Sequence, residues 1–257
     1  MPEVTSYAPG TFCWAELGTT DAAGAKRFYT DLFGWTFEDN VMGPDMVYTM
    51  WRLKEKEVGA LYQMGKDQQG VPPHWQCYVS VENADATAAK LKELGGNVIA
   101  GPFDVMDVGR MAIVTDPEGA TFALWQPGKH IGATIVNEPG ATCWYELASW
   151  KPKETGAFYA TLFGWTLKES PEYTEFHGSD GRPRGGMFTM KPEMQGVPAF
   201  WMPYFAVADC DAMAQKATAG GGKVHNGPQD IPNVGRFAVL SDPQGAAFSI
   251  IKLNRME

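Results

Sequence analysis

From residue 11 the chain alternates apolar and polar positions through TFCWAELG, the period of a strand with one buried face. It then changes to a helical period. Ala22, Ala25, Phe28, Tyr29, Leu32 and Phe33 share one face of residues 21–33, with Thr20 or Asp21 placed to cap the start and Gly34 to stop it. Short strands are predicted at 35–39, 46–53 and 57–64. The order then recurs: a strand at 75–82, a helix at 84–94 ended by Gly95-Gly96, and strands near 97–101, 110–115 and 121–126. The last two are joined by DPEG, whose Pro and Gly suit a tight turn. The pattern is βαβββ, twice.

The whole arrangement is then repeated. PGTFCWAELGTTDAAGAKRFYTDLFGW returns as PGATCWYELASWKPKETGAFYATLFGW, and the stretch from GVPPHW to TDPEGATFALW returns as GVPAFW to SDPQGAAFSII. The second copy is a few residues shorter between these two blocks. A duplication of this kind outranks any single motif as an organising signal. It predicts two tandem domains, 1–130 and 131–257, joined through the Gly/Pro-containing stretch 127–140. Phe28-Tyr29, Phe158-Tyr159 and the FGW triplets are expected to pack helix against sheet, and Met64 and Met190 to sit in the core.

The 257 residues are 44% hydrophobic and 20% charged, as in ordinary globular domains. The formal charge is −9 and no Lys/Arg run occurs, which argues against a nucleic acid or an anionic membrane as partner. MPEVTSYAPG lacks the features of a signal peptide, and no apolar run reaches the ~18 residues of a membrane span. A cytoplasmic protein is therefore expected. Cys13, Cys77, Cys143 and Cys210 lack CxxC spacing and read as buried free thiols rather than as disulfides or a zinc site. No GxSxG, Walker or HExxH motif is present.

Four βαβββ units, the FYxxLFGW helix ends and the DPEG/DPQG hairpins together resemble the vicinal oxygen chelate superfamily, the glyoxalase/bleomycin-resistance/dioxygenase group. The tandem form is similar to two-domain, glyoxalase-like actinobacterial proteins labelled hydroxylase or antigen. The resemblance implies an α+β fold in which each pair of βαβββ units forms one cup-shaped mixed sheet, with helices outside and ligand inside. Metal-dependent members of that superfamily carry His, Glu or Gln on the first and last strands of each unit. The matching positions here hold Trp14, Gln76 and Ala123 in one domain and Trp144, Met202 and Ser249 in the other. Of the four histidines, His74 alone lies near such a strand; His130 falls in the linker, and His177 and His225 outside the motif positions. About three His or carboxylate ligands are needed for a catalytic divalent metal, so neither a metal nor another cofactor is expected.

Strand alternation directs Phe12, Trp14 and Glu16 into the first cup and Cys13, Ala15 and Leu17 toward the helices. It directs Trp144 and Glu146 into the second cup, with Cys143, Tyr145 and Leu147 outward. Gln76 and Tyr78 share a face, as do Met202 and Tyr204, with His74 on the side of Gln76. The expected ligand-binding set is Trp14, Gln76, Tyr78, His74, Trp144, Met202 and Tyr204, an aromatic wall suited to a flat organic molecule. Glu16 and Glu146 admit two readings: a general acid or base of raised pKa, or buried acids paired with Arg110 and Arg236 of the two VGR triplets. The sequence favours the pairing. The leading function is metal-independent binding of a planar aromatic or natural product, as in drug sequestration or resistance. A glyoxalase, lyase or dioxygenase using a divalent metal, a cofactor-free acid–base enzyme acting on a polyketide-like substrate, and a purely structural role stay open. The more polar first cup is the expected working one, and the chain is expected to be a monomer or a homodimer.

Overall fold

The structure is a computed structural model that describes residues 3–44 and 46–254. The first half runs β1 (Thr11–Thr19), α1 (Ala22–Phe33), β2 (Thr36–Gly43), β3 (Met46–Leu53), β4 (Lys56–Gln63), β5 (His74–Ser80), α2 (Ala84–Glu93), β6 (Asn97–Val105), β7 (Gly109–Thr115) and β8 (Thr121–Pro127). The second repeats it as β9 (Thr142–Ser149), α3 (Pro152–Phe163), β10 (Thr166–Glu169), β11 (Tyr173–His177), β12 (Pro183–Thr189), β13 (Phe200–Ala206), α4 (Cys210–Ala219), β14 (Lys223–Ile231), β15 (Gly235–Ser241) and β16 (Ala247–Leu253). Helix α1 starts where Asp21 accepts the amide of Gly24 and ends at Gly34, whose φ of 71° is the left-handed stop its sequence predicts. Strands β2 and β6 run several residues past their expected ends.

Each half closes into one eight-stranded mixed sheet, ordered β2-β3-β4-β1-β5-β8-β7-β6 and β10-β11-β12-β9-β13-β16-β15-β14. Within a βαβββ unit the first and last strands run parallel (β1 with β4, β5 with β8). The two units meet through antiparallel β1 and β5. The sheet is thus a cup whose centre is built from the first and last strands of both units, with helices on the outside.

One departure from strict alternation matters. The pairing of β1 with β5 is irregular between Phe12 and Trp14, and that of β9 with β13 shifts opposite Thr142 and Trp144. The extra residue in each bulge rotates the strand before it. Phe12 therefore does not share the cup with Trp14: it stacks on Tyr145 of the other half at 4.3 Å. Cys13 and Cys143, expected to face the helices, pack on the cup side beside Trp14 and Trp144.

The outer faces of the two sheets and their helices share one core across both halves. Polar contacts cross it reciprocally. Trp75 donates to Tyr29 at 2.9 Å, and Tyr29 donates to Asp242 of the other half at 3.1 Å. Trp201 donates to Tyr159 at 2.8 Å, and Tyr159 to Asp116 at 3.0 Å. The FGW tryptophans cross over too, Trp35 to the carbonyl of Gly140 at 2.7 Å and Trp165 to that of Gly10 at 2.9 Å. Asp116 and Asp242 each also accept amides from their own DPEG or DPQG turn. The turn acid thus holds its hairpin and the partner half at once.

Tyr29→Phe leaves Trp75 Nε1 and Asp242 Oδ2 short of a partner in a buried core. It is expected to cost about 1–3 kcal/mol of unfolding free energy, and Tyr159→Phe a similar amount. Urea denaturation followed by circular dichroism measures both; losses no larger than those of surface substitutions would show that the crossing bonds are dispensable.

Candidate functional site in the two cups

Strand β1 places Glu16 opposite Gln76 on β5 and beside Ala60 on β4, near the middle of the sheet. Two tyrosine hydroxyls reach its carboxylate. Tyr48 of β3 donates to Oε2 at 2.6 Å and Tyr78 of β5 donates to Oε1 at 3.0 Å. The indole of Trp14 donates in turn to Tyr48 Oη at 3.4 Å. The second cup reproduces the set. Tyr204 donates to Glu146 Oε2 at 2.5 Å, and Trp144 donates at 2.8 Å to the hydroxyl of Tyr173, which stands beside the same carboxylate. Each cup therefore groups one acid, two phenols and one indole, joined in the first cup by a continuous set of hydrogen bonds.

Arg110 and Arg236 are not partners of these acids. Strand alternation sends Met111 into the cup and Arg110 to the opposite face, where its guanidinium meets Asp85 at 2.7 Å and Asp104 at 2.9 Å. Arg236 likewise meets Asp211 at 2.6 Å and Asp230 at 3.2 Å. Without a bonded cation, burial dominates and pushes the pKa of both glutamates upward; the tyrosine donors, and for Glu16 the neighbouring His130, pull it back only in part. The hydroxyls of Tyr48, Tyr78, Tyr173 and Tyr204 are pushed far up as well, by burial and then by the carboxylate beside them. They are donors in this site and not anions.

The other expected residues fall as follows. Gln76 is buried in the first cup, where its amide nitrogen donates to the Cys77 carbonyl at 3.4 Å. Met202 takes its place in the second, accepting from Ser249 Oγ at 3.5 Å. His74 lies at the rim, bonded to the Pro72 carbonyl at 2.9 Å, and does not join the Glu16 cluster. Four contributors escaped the sequence reading. Tyr48 and Tyr173 stand on hairpins of unequal length, where the repeat slips out of register. The signal was there in the alternation of Met46, Tyr48 and Met50. Trp125 and His130 complete the first cup, the His130 ring lying edge-on to Trp14 at 4.7 Å.

The donor set does not fit a divalent metal. Indole, amide and methyl groups in the first cup, and indole, thioether and hydroxyl groups in the second, stand at the positions that the resemblance assigns to ligands, and Glu16 or Glu146 is one carboxylate already receiving hydroxyl donors. Among the described residues no group of three or more His, Cys, Asp or Glu is arranged to hold a metal ion. No helix among them is long and apolar enough to cross a membrane. Among the described residues, two of the clefts lie outside the cups. One, about 310 Å³ between α1 and α4, arises where Gln244 stands at the place of Glu118, which in the other seam bonds Ser149, Trp150 and Thr155. The other, about 610 Å³, lies between α4 and β14.

Residues 11–124 and 144–250 match the family described as the Glyoxalase/Bleomycin resistance protein/Dioxygenase superfamily. The chain is 46% identical over 259 residues to "Putative glyoxylase CFP32" of Mycobacterium tuberculosis, covering 98% of each. It is 37% identical over 270 residues to "Anthracycline biosynthesis protein DnrV" of Streptomyces peucetius, covering 97% of this chain and 96% of that one. Among solved structures it is similar in fold to a Mn(II)-bound glyoxalase from Novosphingobium aromaticivorans, with TM-score 0.66, 12% identity and coverage of 97% and 86%. It is also similar to the 2,3-dioxygenase LapB from Pseudomonas sp. KL28, with TM-score 0.67, 11% identity and coverage of 98% and 95%.

The raised glutamate pKa has a defined sign in stability. The folded protein holds the Glu16 proton more tightly than the unfolded chain does. The linked stability is therefore full below the ordinary carboxylate pKa of about 4 and is lost as pH rises through the higher folded value. Glu16→Gln removes this slope. Between about pH 4 and pH 7 the variant is expected to gain stability relative to the parent protein, measured as the difference in denaturation midpoint at each pH. A variant that instead loses ground as pH rises would mean that the folded state holds Glu16 as a favoured anion.

Proposed function

The chain belongs to the Glyoxalase/Bleomycin resistance protein/Dioxygenase superfamily, and from that premise we propose that it binds a planar aromatic, hydroxyl-bearing small molecule in a cup, without a resident metal. One observation carries the reading: among the described residues each cup holds a half-buried carboxyl group with no bonded cation, receiving tyrosine hydroxyl donors (Tyr48 and Tyr78 on Glu16, Tyr204 on Glu146) and flanked by a tryptophan. Such a group costs free energy in an apolar setting. A carboxylate has about four lone-pair sites, so two tyrosine donors leave acceptor capacity for a phenol or enol. The indole and tyrosine rings supply faces for an aromatic plane. The relative named for anthracycline biosynthesis fits the same ligand class, since an anthracycline is a planar, hydroxylated polycycle.

A second reading is favoured by the upward shift of the same two acids. A carboxyl group that exchanges its proton nearer neutrality serves as acid or base for proton transfer on an enolisable substrate. Tyr48 and Tyr78, or Tyr173 and Tyr204, are then the donors facing a developing enolate. Binding comes first in either case.

Titration with 1,8-dihydroxyanthraquinone is expected to quench tryptophan fluorescence with a Kd of order 10 μM or tighter, in protein shown by elemental analysis to lack stoichiometric transition metal. No quenching by this probe or by other planar phenols at that level overturns the ligand class. One transition metal per cup would redirect the assignment to a metal-dependent enzyme.

A further inference from the structure

The two cups carry the same acid, phenols and indole, but they are not filled alike. In the first cup Cys13 and Trp14 are 1% and 3% exposed. The cover comes from the linker that joins the halves. The amide of Ala133 bonds the Cys13 carbonyl at 2.8 Å, and Trp125 donates to the carbonyl of His130 at 2.9 Å. The His130 ring stands 4.7 Å from that of Trp14 and 5.9 Å from that of Trp125, with Nδ1 3.4 Å from Glu57. Tyr7 donates to Ala133 and closes the same corner.

Among the described residues the second cup has a smaller lining. Ile251 stands at the repeat position of Trp125, and Met202 at that of Gln76. Cys143 and Trp144, the counterparts of Cys13 and Trp14, are only half-buried among the described residues. Trp144 keeps its hydrogen bond to Tyr173, so the indole is oriented while part of its surface is uncovered.

We infer that the first cup is occupied by the chain's own linker, with His130 standing where an aromatic ligand would meet Trp14, and that the second cup receives the ligand. This rests on the function proposed above and reverses the preference drawn from polarity alone. His130 is a stopper held by an indole edge contact, the Trp125 bond and Glu57. Access to Trp14 requires residues 128–136 to leave. The second cup takes a planar aromatic on Trp144 with a hydroxyl directed at Glu146, and its remaining wall of Met202, Phe237, Val239 and Ile251 disfavours further charge on the ligand.

Cys13 and Cys143 report on the two cups without any ligand. Native protein treated with methyl methanethiosulfonate and analysed by peptide mass spectrometry is expected to modify Cys143 at least about tenfold faster than Cys13, as expected when one site is reached directly and the other only by local opening. His130→Ala is expected to speed modification of Cys13 and leave Cys143 unchanged. In the second arm, 1,8-dihydroxyanthraquinone is expected to bind once per chain and to protect Cys143. Trp144→Ala is expected to weaken it about tenfold or more, and Trp14→Ala by less than about threefold, differences of roughly 1.4 and 0.6 kcal/mol. Equal reactivity of the two cysteines overturns the inequality of the cups, and so does protection of Cys13 or a stoichiometry of two. Faster modification of Cys143 with no binding of the probe upholds the inequality and overturns the ligand class.

Discussion

The structure depends on hydrogen bonds that cross between its two halves. Tyr29 of the first half ends on Asp242 of the second, and Tyr159 of the second ends on Asp116 of the first. Each tyrosine also receives an indole N–H from its own half, so a buried donor, a hydroxyl and a carboxylate are satisfied in one chain. The aspartates sit in the turns between the last two strands of each sheet. Their position thus links hairpin geometry to docking of the halves. Buried polar groups of this kind do not set how strongly surfaces attract; they set which surfaces fit, because any other register leaves them unpaired. The back-to-back placement of the sheets, and therefore the outward opening of both cups, follows from that requirement.

The cups use the opposite device. The core acids are surrounded by amide and hydroxyl donors, whereas among the described residues Glu16 and Glu146 have side-chain hydroxyl donors and a largely apolar lining. A carboxyl group that structure alone required could have been paired with Arg110 or Arg236, yet both arginines are directed to surface aspartates. The arrangement in the cups is a carboxyl group set among tyrosine and tryptophan side chains, repeated in both halves although much of the surrounding sequence differs.

The fold was legible because βαβββ announces itself twice in each half and each half announces the other. Helix α1 could be read to its cap and its stop. The bulges at Cys13 and Cys143 could not: a single inserted residue leaves no mark in an alternating pattern, and it turned Phe12 out of the cup. Trp14, Glu16, Gln76 and Tyr78 were reached by counting from a strand–helix junction. Tyr48 and Tyr173 were not, because they lie on hairpins whose lengths diverged between copies. The Glu–Arg pairing failed for a plain reason. Both members recur in the sequence, but recurrence says nothing of which face of a strand each occupies.

The crossed tyrosines also constrain how the protein is made. Tyr29 and Asp242 are 213 residues apart, and Trp35 and Gly140 are 105 apart. A first half emerging from the ribosome can form its own sheet, and the early part of the second half can cover some of its outer face, but the contact of Tyr29 is not completed until the turn at Asp242 has been synthesised. At the usual pace of about 5–20 residues per second, the 213 residues between Tyr29 and Asp242 take on the order of ten seconds or more to make, during which part of that face is open to chaperones, to other nascent chains and to identical faces on neighbouring copies. Duplication in one polypeptide thus has a kinetic side. It keeps the correct partner covalently attached, so that when the last hairpin arrives the closure is intramolecular and does not depend on protein concentration.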